Sequence, residues 1–134
     1  MAEKLTKILT VEDDVTMREI MVHKLSATPG FTVIEASDGK EALEVWKKEK
    51  PDIVLLDLSL PEMDGFQVLE TIRKDPDPVV ANASVIVLSN LYSQSEIQRA
   101  KDLKIDEYMV KAYYTTEEIF SKVKEILAKK AQKV

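Results

Sequence analysis

Polar residues that could do chemistry directly follow short apolar runs at four places in the sequence. They are Glu12-Asp13-Asp14, Asp57, Ser89-Asn90 and Lys111. Carboxylates gathered at one point repel each other, and a single lysine carries too little charge to neutralise three or four of them. A hard divalent cation with oxygen ligands, above all Mg²⁺, would supply the missing positive charge. If the fold brings these residues together, their types predict a magnesium site.

The same residues are suited to accepting a phosphoryl group. Asp13 and Asp57 are the candidate metal ligands, and Glu12 would bind the metal directly or through water. A carboxylate can act as a nucleophile and form an aspartyl phosphate. The metal and Lys111 would then neutralise charge on the phosphoryl oxygens. The hydroxyl of Ser89 would donate a hydrogen bond to one of those oxygens.

The apolar pattern predicts a scaffold that brings these groups to one place. Runs rich in β-branched or aromatic residues predict strands over residues 8–11, 31–34, 53–56, 85–88 and 108–110. Amphipathic stretches between them predict helices, with apolar faces formed by Met17, Ile20, Met21 and Leu25; by Ala42, Val45 and Trp46; by Phe66, Leu69 and Ile72; and by Ile119, Val123, Ile126 and Leu127. This alternation predicts an α/β fold, a doubly wound five-stranded parallel sheet with helices on both faces. In such sheets the ligand site lies beyond the carboxyl ends of the strands.

The organisation of the chain is that of one domain, residues 1–134, without internal repeats or a linker. The stretch near Ile97 is less apolar than the other helical stretches, which predicts a more exposed helix. The cluster Asp75-Pro76-Asp77-Pro78 predicts a short loop between the third helix and the fourth strand.

Composition excludes several classes of function. Lys and Arg total 19 against 24 Asp and Glu, and the resulting net charge of −5 is unfavourable for direct nucleic-acid binding. The absence of cysteine excludes disulfides, thiolate metal sites and cysteine catalysis. No apolar run approaches the length of a membrane span or of a secretion signal, so we expect a cytoplasmic protein that does not insert into membranes.

Four conspicuous residues have structural interpretations. We expect Asp14 to cap the first helix, because an aspartate before a helical pattern commonly does so. Trp46 lies in an apolar stripe and is predicted to be core. His23, the single histidine, is predicted to lie at the surface. Gly65 is predicted to serve a helix start.

The sequence resembles a response-regulator receiver domain of two-component signalling, in its single-domain form, over about its whole length. The matching stretches are residues 7–14, 52–66, 85–90 and 108–111. The second stretch is highly specific, because Asp57, Leu60-Pro61 and Met63-Asp64-Gly65 all fall at the family's spacing. The resemblance implies the flavodoxin-like strand order 2-1-3-4-5.

The resemblance implies a role for each residue of the acidic constellation. Asp57 is similar to the phosphorylated residue of the family. Glu12 and Asp13 match the acidic pair that holds Mg²⁺, and Asp13 and Asp57 would be direct carboxylate ligands. The backbone carbonyl of Ser59 would be a further ligand. Lys111 matches the lysine that contacts the phosphoryl group.

The resemblance also implies a switch and its partners. Ser89 and Tyr108 fall at the paired switch positions, and phosphorylation would change the surface of the fourth helix, fifth strand and fifth helix. The phosphoryl donor would be a histidine kinase or a phosphotransfer protein, and the receiver of the signal an unidentified downstream protein. Pairing of two phosphorylated copies through that surface is a hypothesis. The domain would catalyse only its own phosphorylation and dephosphorylation.

The sequence departs from the family pattern at two positions. Ala112 stands where the family usually has a proline after a cis bond. A cis bond before a non-proline residue costs about 2.5–4 kcal/mol, so we predict a trans bond after Lys111. Asn90 stands where a small residue is common and would narrow access to Asp57. Ser59 and Leu91 lie at positions where the family varies and tunes phosphoryl lifetime.

Three alternatives remain open on the sequence alone. A Mg²⁺-dependent phosphatase would commonly have a second aspartate two residues after the nucleophile, where this chain has Ser59. A nucleotide-binding module needs a glycine-rich loop that Gly30, Gly39 and Gly65 cannot form. A pseudo-receiver that binds partners without phosphorylation stays open because of Ala112, although the retained Glu12, Asp13, Asp57, Ser89 and Lys111 argue against it.

Overall fold

The sheet has the predicted architecture. The computed structural model describes residues 5–61, 63–90 and 93–132. Its strands are β1 (Thr6–Val11), β2 (Phe31–Ala36), β3 (Ile53–Leu56), β4 (Ser84–Ser89) and β5 (Glu107–Val110). All neighbouring strands are parallel. Their order is β2-β1-β3-β4-β5, as predicted.

Helices cover both faces of the sheet. In the described residues they are α1 (Val15–Ser26), α2 (Gly39–Glu49), α3 (Gly65–Arg73), α4 (Pro78–Ala81), α5 (Gln94–Asp102) and α6 (Thr116–Gln132), and a 3₁₀ turn spans Lys111–Tyr113. Alternate strand residues face opposite layers, so Leu55 packs with α1 and α6 whereas Val54 packs with α2, α3 and α5. Because α4 is an additional short helix that the sequence pattern did not predict, the predicted fourth and fifth helices are α5 and α6.

One predicted loop contains a helix. Residues 75–78 were expected to be a plain connection, but Pro78 begins the four-residue helix α4. Proline is favourable at the first helical position, because the backbone N–H that it lacks has no partner there anyway. The carboxylate of Asp77 accepts a hydrogen bond from the Val79 amide at 2.9 Å and caps this turn. Proline therefore starts a helix here.

One residue of the predicted apolar faces is not core. Met21 and Leu25 of α1 are buried, but Ile20 is 47% exposed. Ile20 and Phe120 line a groove between α1 and α6. Adjacent helical residues point about 100° apart, so a residue next to Met21 can face this groove instead of the sheet. The prediction of Ile20 as part of a buried face was wrong.

The structural interpretations of single residues are confirmed. The Asp14 carboxylate accepts a hydrogen bond from the Met17 amide at 3.1 Å and caps α1. Trp46 is fully buried, and His23 is exposed. Gly65 is the first residue of α3. The helix around Ile97 is the more exposed one expected, since Ala100 is its buried residue.

In the part of the chain that the structure describes, no helix is both long enough and apolar enough to cross a bilayer.

Candidate functional site

The strand register places Glu12 and Asp57 side by side. Val11 of β1 pairs with Leu56 of β3, and each of these residues is the last of its strand. Parallel strands end at the same edge of a sheet, so the two carboxylates that follow emerge together. The backbone continues this pairing, because the Asp57 amide donates to the Val11 carbonyl at 3.1 Å. The predicted convergence is therefore present.

Lys111 joins these two carboxylates. It follows β5, whose last residue, Val110, pairs with Ser89 of β4. Its Nζ lies 2.6 Å from Oε1 of Glu12 and 2.8 Å from Oδ2 of Asp57. The side chain of Lys111 is 14% exposed, and each carboxylate side chain is 5% exposed. Three charged groups thus share one nearly buried position.

Backbone groups hold both carboxylates in place. Oδ1 of Asp57 accepts a hydrogen bond from the Ser59 amide at 3.0 Å. Oε2 of Glu12 accepts one from the Asp14 amide at 3.2 Å. Each carboxylate therefore uses one oxygen for Lys111 and the other for the backbone two residues along. This fixes their orientation without neutralising their charge.

Arg18 also supports the site, although the sequence did not identify it. Its Nη1 donates to the backbone carbonyl of Glu12 at 2.7 Å, and its Nε lies 3.2 Å from Oε1 of Glu35. It therefore ties the start of α1 to the end of β1, next to the acidic residues. An isolated arginine in the first turn of a helix gives no sequence signal for such a contact.

Burial dominates the electrostatics of the site. Burial raises the pKa of Glu12 to about 7, although the hydrogen bond from Lys111 opposes this rise. Burial alone would lower the pKa of Lys111, but its hydrogen bonds to Asp57 and Glu12 prevail and hold that pKa above its usual value. Lys111 therefore stays charged at neutral pH, whereas Glu12 is close to its point of titration.

Asp13 completes a group of three carboxylates. One carboxylate oxygen from each of Glu12, Asp13 and Asp57 lies within 4.8 Å of the others, and Asp13 is exposed to solvent. Oxygen donors of this type fit Mg²⁺, which typically binds one or two carboxylates and keeps several waters. Exposure of Asp13 leaves room for those waters. The donor set present therefore fits the predicted ion.

Ser89 and Tyr108, the two residues expected to form the switch, are in contact. Ser89 is fully buried, and Tyr108 is half-buried against the core on the α2, α3 and α5 face. Burial raises the pKa of Tyr108, and a hydrogen bond with Ser89 acts in the opposite direction. The two side chains therefore form one connected unit between the end of β4 and the start of β5.

The departures from the family pattern have limited effects on this geometry. The peptide bond between Lys111 and Ala112 is trans, as predicted. Lys111 nevertheless reaches Asp57, so the missing proline does not displace the lysine from the site. Asn90 is exposed. Leu91 lies outside the described residues.

Comparison with known sequences identifies one family. A family model described as "Response regulator receiver domain" matches residues 8–124. "Probable transcriptional regulator ycf27" of Porphyridium aerugineum is 35% identical over 121 residues, which are 90% of this chain and 48% of that protein. "Response regulator MprA" of Mycobacterium leprae is 33% identical over 121 residues, 90% of this chain and 50% of that protein. The chain spans about half the length of these relatives.

Solved structures have the same fold. A response regulator receiver domain protein (CheY-like) from Methanospirillum hungatei matches with a TM-score of 0.87 at 24% identity, over 98% of this chain and 100% of that one. A two-component response regulator of the LuxR family from Aurantimonas sp. matches with a TM-score of 0.79 at 25% identity, over 93% of this chain and 86% of that one.

Proposed function

Because the chain belongs to the response regulator receiver family, we propose that it is a signalling switch that accepts a phosphoryl group on Asp57. Acceptance of a phosphoryl group is the general function of this family. The observation that supports Asp57 as the acceptor is its position: Lys111 contacts it at 2.8 Å, within a group of three carboxylates. Residues 1–134 would act as one receiver domain.

The proposed cofactor is Mg²⁺, held by Asp13, Asp57 and the Ser59 backbone carbonyl, with Glu12 direct or through water. When bound, the ion would offset the charge of these carboxylates and of the incoming phosphoryl oxygens. The chain's own residues prepare the site, because the Ser59 amide and Lys111 fix the two oxygens of Asp57.

The proposed reaction is transfer to a carboxylate oxygen. An oxygen of Asp57 forms a new P–O bond while the P–N bond of a donor phosphohistidine breaks, and the imidazole leaves with the bonding electrons. With acetyl phosphate as donor, a P–O bond breaks and acetate leaves. Lys111 stays protonated and stabilises charge on the phosphoryl oxygens, which the raised pKa of Lys111 supports.

The proposed output is a change at the surface of α5, β5 and α6. An aspartyl phosphate adds charge and hydrogen-bond acceptors at one point. The hydroxyl of Ser89 would turn toward a phosphoryl oxygen and release its bond with Tyr108. Tyr108 would then move, and the altered surface would be recognised by a downstream protein or by a second copy. A histidine kinase or a phosphotransfer protein would be the donor.

The rival proposals have less support. Ala112 left a pseudo-receiver open, but Lys111 contacts Asp57 although the bond after Lys111 is trans. A phosphatase acting on external substrates would need a general acid where Ser59 stands. We therefore propose catalysis only of the chain's own phosphorylation and dephosphorylation.

Intact-protein mass spectrometry with acetyl phosphate tests the proposal. We expect the mass of one phosphoryl group to be added in Mg²⁺ and not in chelator. Asp57→Asn should abolish the gain. Asp14→Asn is the matched control, since it changes a neighbouring acid whose carboxylate caps α1, and asparagine also caps helices. A mass gain that persists in Asp57→Asn, or that also occurs in chelator, would contradict the proposal.

A further inference from the structure

Gly39 lies against the segment that joins β3 to α3. This segment, which begins with the candidate acceptor Asp57, is called here the acceptor loop (residues 57–64, of which 62 is not described). Gly39 is buried and is the first residue of α2. A Cβ placed on it would lie 1.9 Å from the carbonyl oxygen of Met63 and 2.8 Å from the Met63 Cβ. Ordinary contact begins at 3.4 Å, so any larger residue would displace the loop or the helix.

Backbone conformation does not explain why glycine stands here. Gly30 is the glycine with a positive φ in the described chain, at 87°, whereas Gly39 has no such angle. The first position of a helix accepts alanine readily, since alanine has the highest helix propensity. Close approach of the Met63 backbone is the constraint that remains. Gly39 is therefore required by a tertiary contact.

The acceptor loop is held at several points, and Gly39 is the contact near its middle. At its start, the Ser59 amide donates to Oδ1 of Asp57 at 3.0 Å. At its end, the Gly65 amide donates to the Leu58 carbonyl at 2.9 Å. Between these points the Pro61 carbonyl accepts from the Met63 amide at 2.8 Å and from the Gly39 amide at 3.5 Å. The first turn of α2 thus supports the loop from outside the site.

We propose that Gly39 is a positioning residue for the phosphoacceptor site. By lacking a Cβ it lets the acceptor loop rest on the first turn of α2. This contact sets the position of the Ser59 carbonyl relative to Asp57. The inference rests on the proposed function, in which Asp57 and that carbonyl are ligands of Mg²⁺. Residues that support metal ligands from outside typically change affinity by about 10–100-fold when they are replaced.

Mg²⁺ titration calorimetry on Gly39→Ala and Gly30→Ala tests the proposal. Gly30→Ala is the matched control, because its positive φ strains alanine while its position beside the start of β1 is at the opposite edge of the sheet. Both variants should unfold at lower denaturant than wild type. Only Gly39→Ala should bind Mg²⁺ more weakly, by about tenfold. Equal Mg²⁺ affinity in Gly39→Ala and wild type would overturn the proposal and leave Gly39 a packing residue.

A second variant applies if Gly39→Ala does not fold. Met63→Gly removes atoms from the acceptor loop and creates no clash, while it loosens the segment that rests on Gly39. We expect weaker Mg²⁺ binding in this variant as well. Unchanged affinity in Met63→Gly would overturn the proposal.

Amide hydrogen exchange without metal separates this proposal from the proposed function. Gly39→Ala should speed exchange in the acceptor loop, and Gly30→Ala should speed it only near the start of β1 and β2. If wild type bound no Mg²⁺ and accepted no phosphoryl group, the proposed function would fail, and the exchange pattern would still decide whether Gly39 positions the loop. Unchanged exchange in the loop of Gly39→Ala would overturn the proposal.

Discussion

Lys111 and Arg73 are two partly buried cations of the same fold, with different kinds of partner. Lys111 contacts the carboxylates of Glu12 and Asp57 at 2.6 and 2.8 Å. Arg73 donates to four backbone carbonyls, at distances of 2.7–3.1 Å. These carbonyls belong to Ala81, Ala83, Leu103 and Lys104. The partners of Lys111 are carboxylates, which can titrate, whereas the partners of Arg73 are backbone carbonyls, which cannot.

The position of Arg73 explains its structural role. It ends α3, and its guanidinium reaches the end of α4, the residue before β4 and the turn after α5. Burial lowers the pKa of Arg73, but an arginine remains charged at any physiological pH. Carbonyls at chain turns need donors when they are buried. Arg73 therefore stabilises these three parts of the chain together.

The difference shows where the molecule can change state. The carboxylates around Lys111 retain unbalanced negative charge, which a metal ion or a change of protonation can relieve. The carbonyls around Arg73 are satisfied by one permanent donor. In this fold the cation paired with carboxylates, Lys111, therefore lies at the proposed reactive site. The cation paired with backbone carbonyls, Arg73, holds chain connections in place.

The largest effect on stability should come from Arg73→Met. Loss of the guanidinium leaves three partly buried carbonyls without this donor, so the free energy of unfolding should fall by about 3 kcal/mol in urea titrations. Below the unfolding midpoint, Mg²⁺-dependent phosphorylation should be retained. Arg99→Met is the control, because Arg99 is 53% exposed and pairs with Glu70 at the surface. Wild-type stability of Arg73→Met would show that its contacts are dispensable.

Lys111→Met should give the complementary result. The initial rate of phosphorylation by acetyl phosphate should fall about 100-fold, the typical cost of removing one group that stabilises transition-state charge. Stability should fall less than in Arg73→Met, because Glu12 can take up a proton when its counter-charge is lost. Quench-flow or timed mass spectrometry measures the rate. A wild-type rate would remove Lys111 from the reaction.

The acidic site should also make stability depend on pH. Burial raises the pKa of Glu12 from 4.5 to about 7, with Asp57 adding to the rise and Lys111 opposing it. Between these values the folded protein binds more protons than the unfolded chain, so the free energy of unfolding falls as pH rises from about 4.5 to about 7. Allowing for solvent screening, the fall should be about 2 kcal/mol.

Two changes should each flatten the pH profile that the metal-free wild type shows. Glu12→Gln removes the titrating group, and saturating Mg²⁺ offsets its charge. Chemical denaturation at several pH values measures both effects. A profile in wild type that rises over this pH range would show that Glu12 does not have a raised pKa.

The smallest effect should come from a cation at the protein surface. Lys122 contacts Glu125 at 3.1 Å, one turn away on α6. Surface pairs of this kind contribute little, because water reaches and solvates both charges. Lys122→Gln should leave both the melting temperature and the phosphorylation rate unchanged. A clear fall in the melting temperature or in the phosphorylation rate would show that the type of partner does not decide the role of a cation in this fold.

The sequence was sufficient to predict the sheet and which polar residues meet at the carboxyl ends of its strands. The carboxyl ends of parallel strands all lie at one edge of the sheet. A polar residue at such an end is therefore assigned to that edge without knowledge of side-chain packing. Glu12, Asp57 and Lys111 directly follow strands, and Ser89 is the last residue of β4. Asp14 was predictable as a cap because its partner lies three residues along the chain. Features that depend on local spacing were therefore accessible.

Contacts between distant side chains were not accessible. Arg73 reaches carbonyls up to 31 residues away, and backbone acceptors have no side-chain identity to recognise. The contact of Gly39 with Met63 depends on how two loops approach each other. The exposure of Ile20 depends on the groove between α1 and α6. Each of these features follows from tertiary packing, which the spacing of apolar residues in the sequence does not specify.

The most direct test of the account is to map the acceptor residue. After incubation with acetyl phosphate, borohydride reduces an aspartyl phosphate to homoserine, and peptide mass spectrometry locates it. We predict homoserine at position 57 in Mg²⁺, none in chelator, the same site in Arg73→Met and much less in Lys111→Met. Homoserine at position 13 or 14 instead, or equal labelling in Lys111→Met and wild type, would contradict the assignment of Asp57 and Lys111 to the reaction.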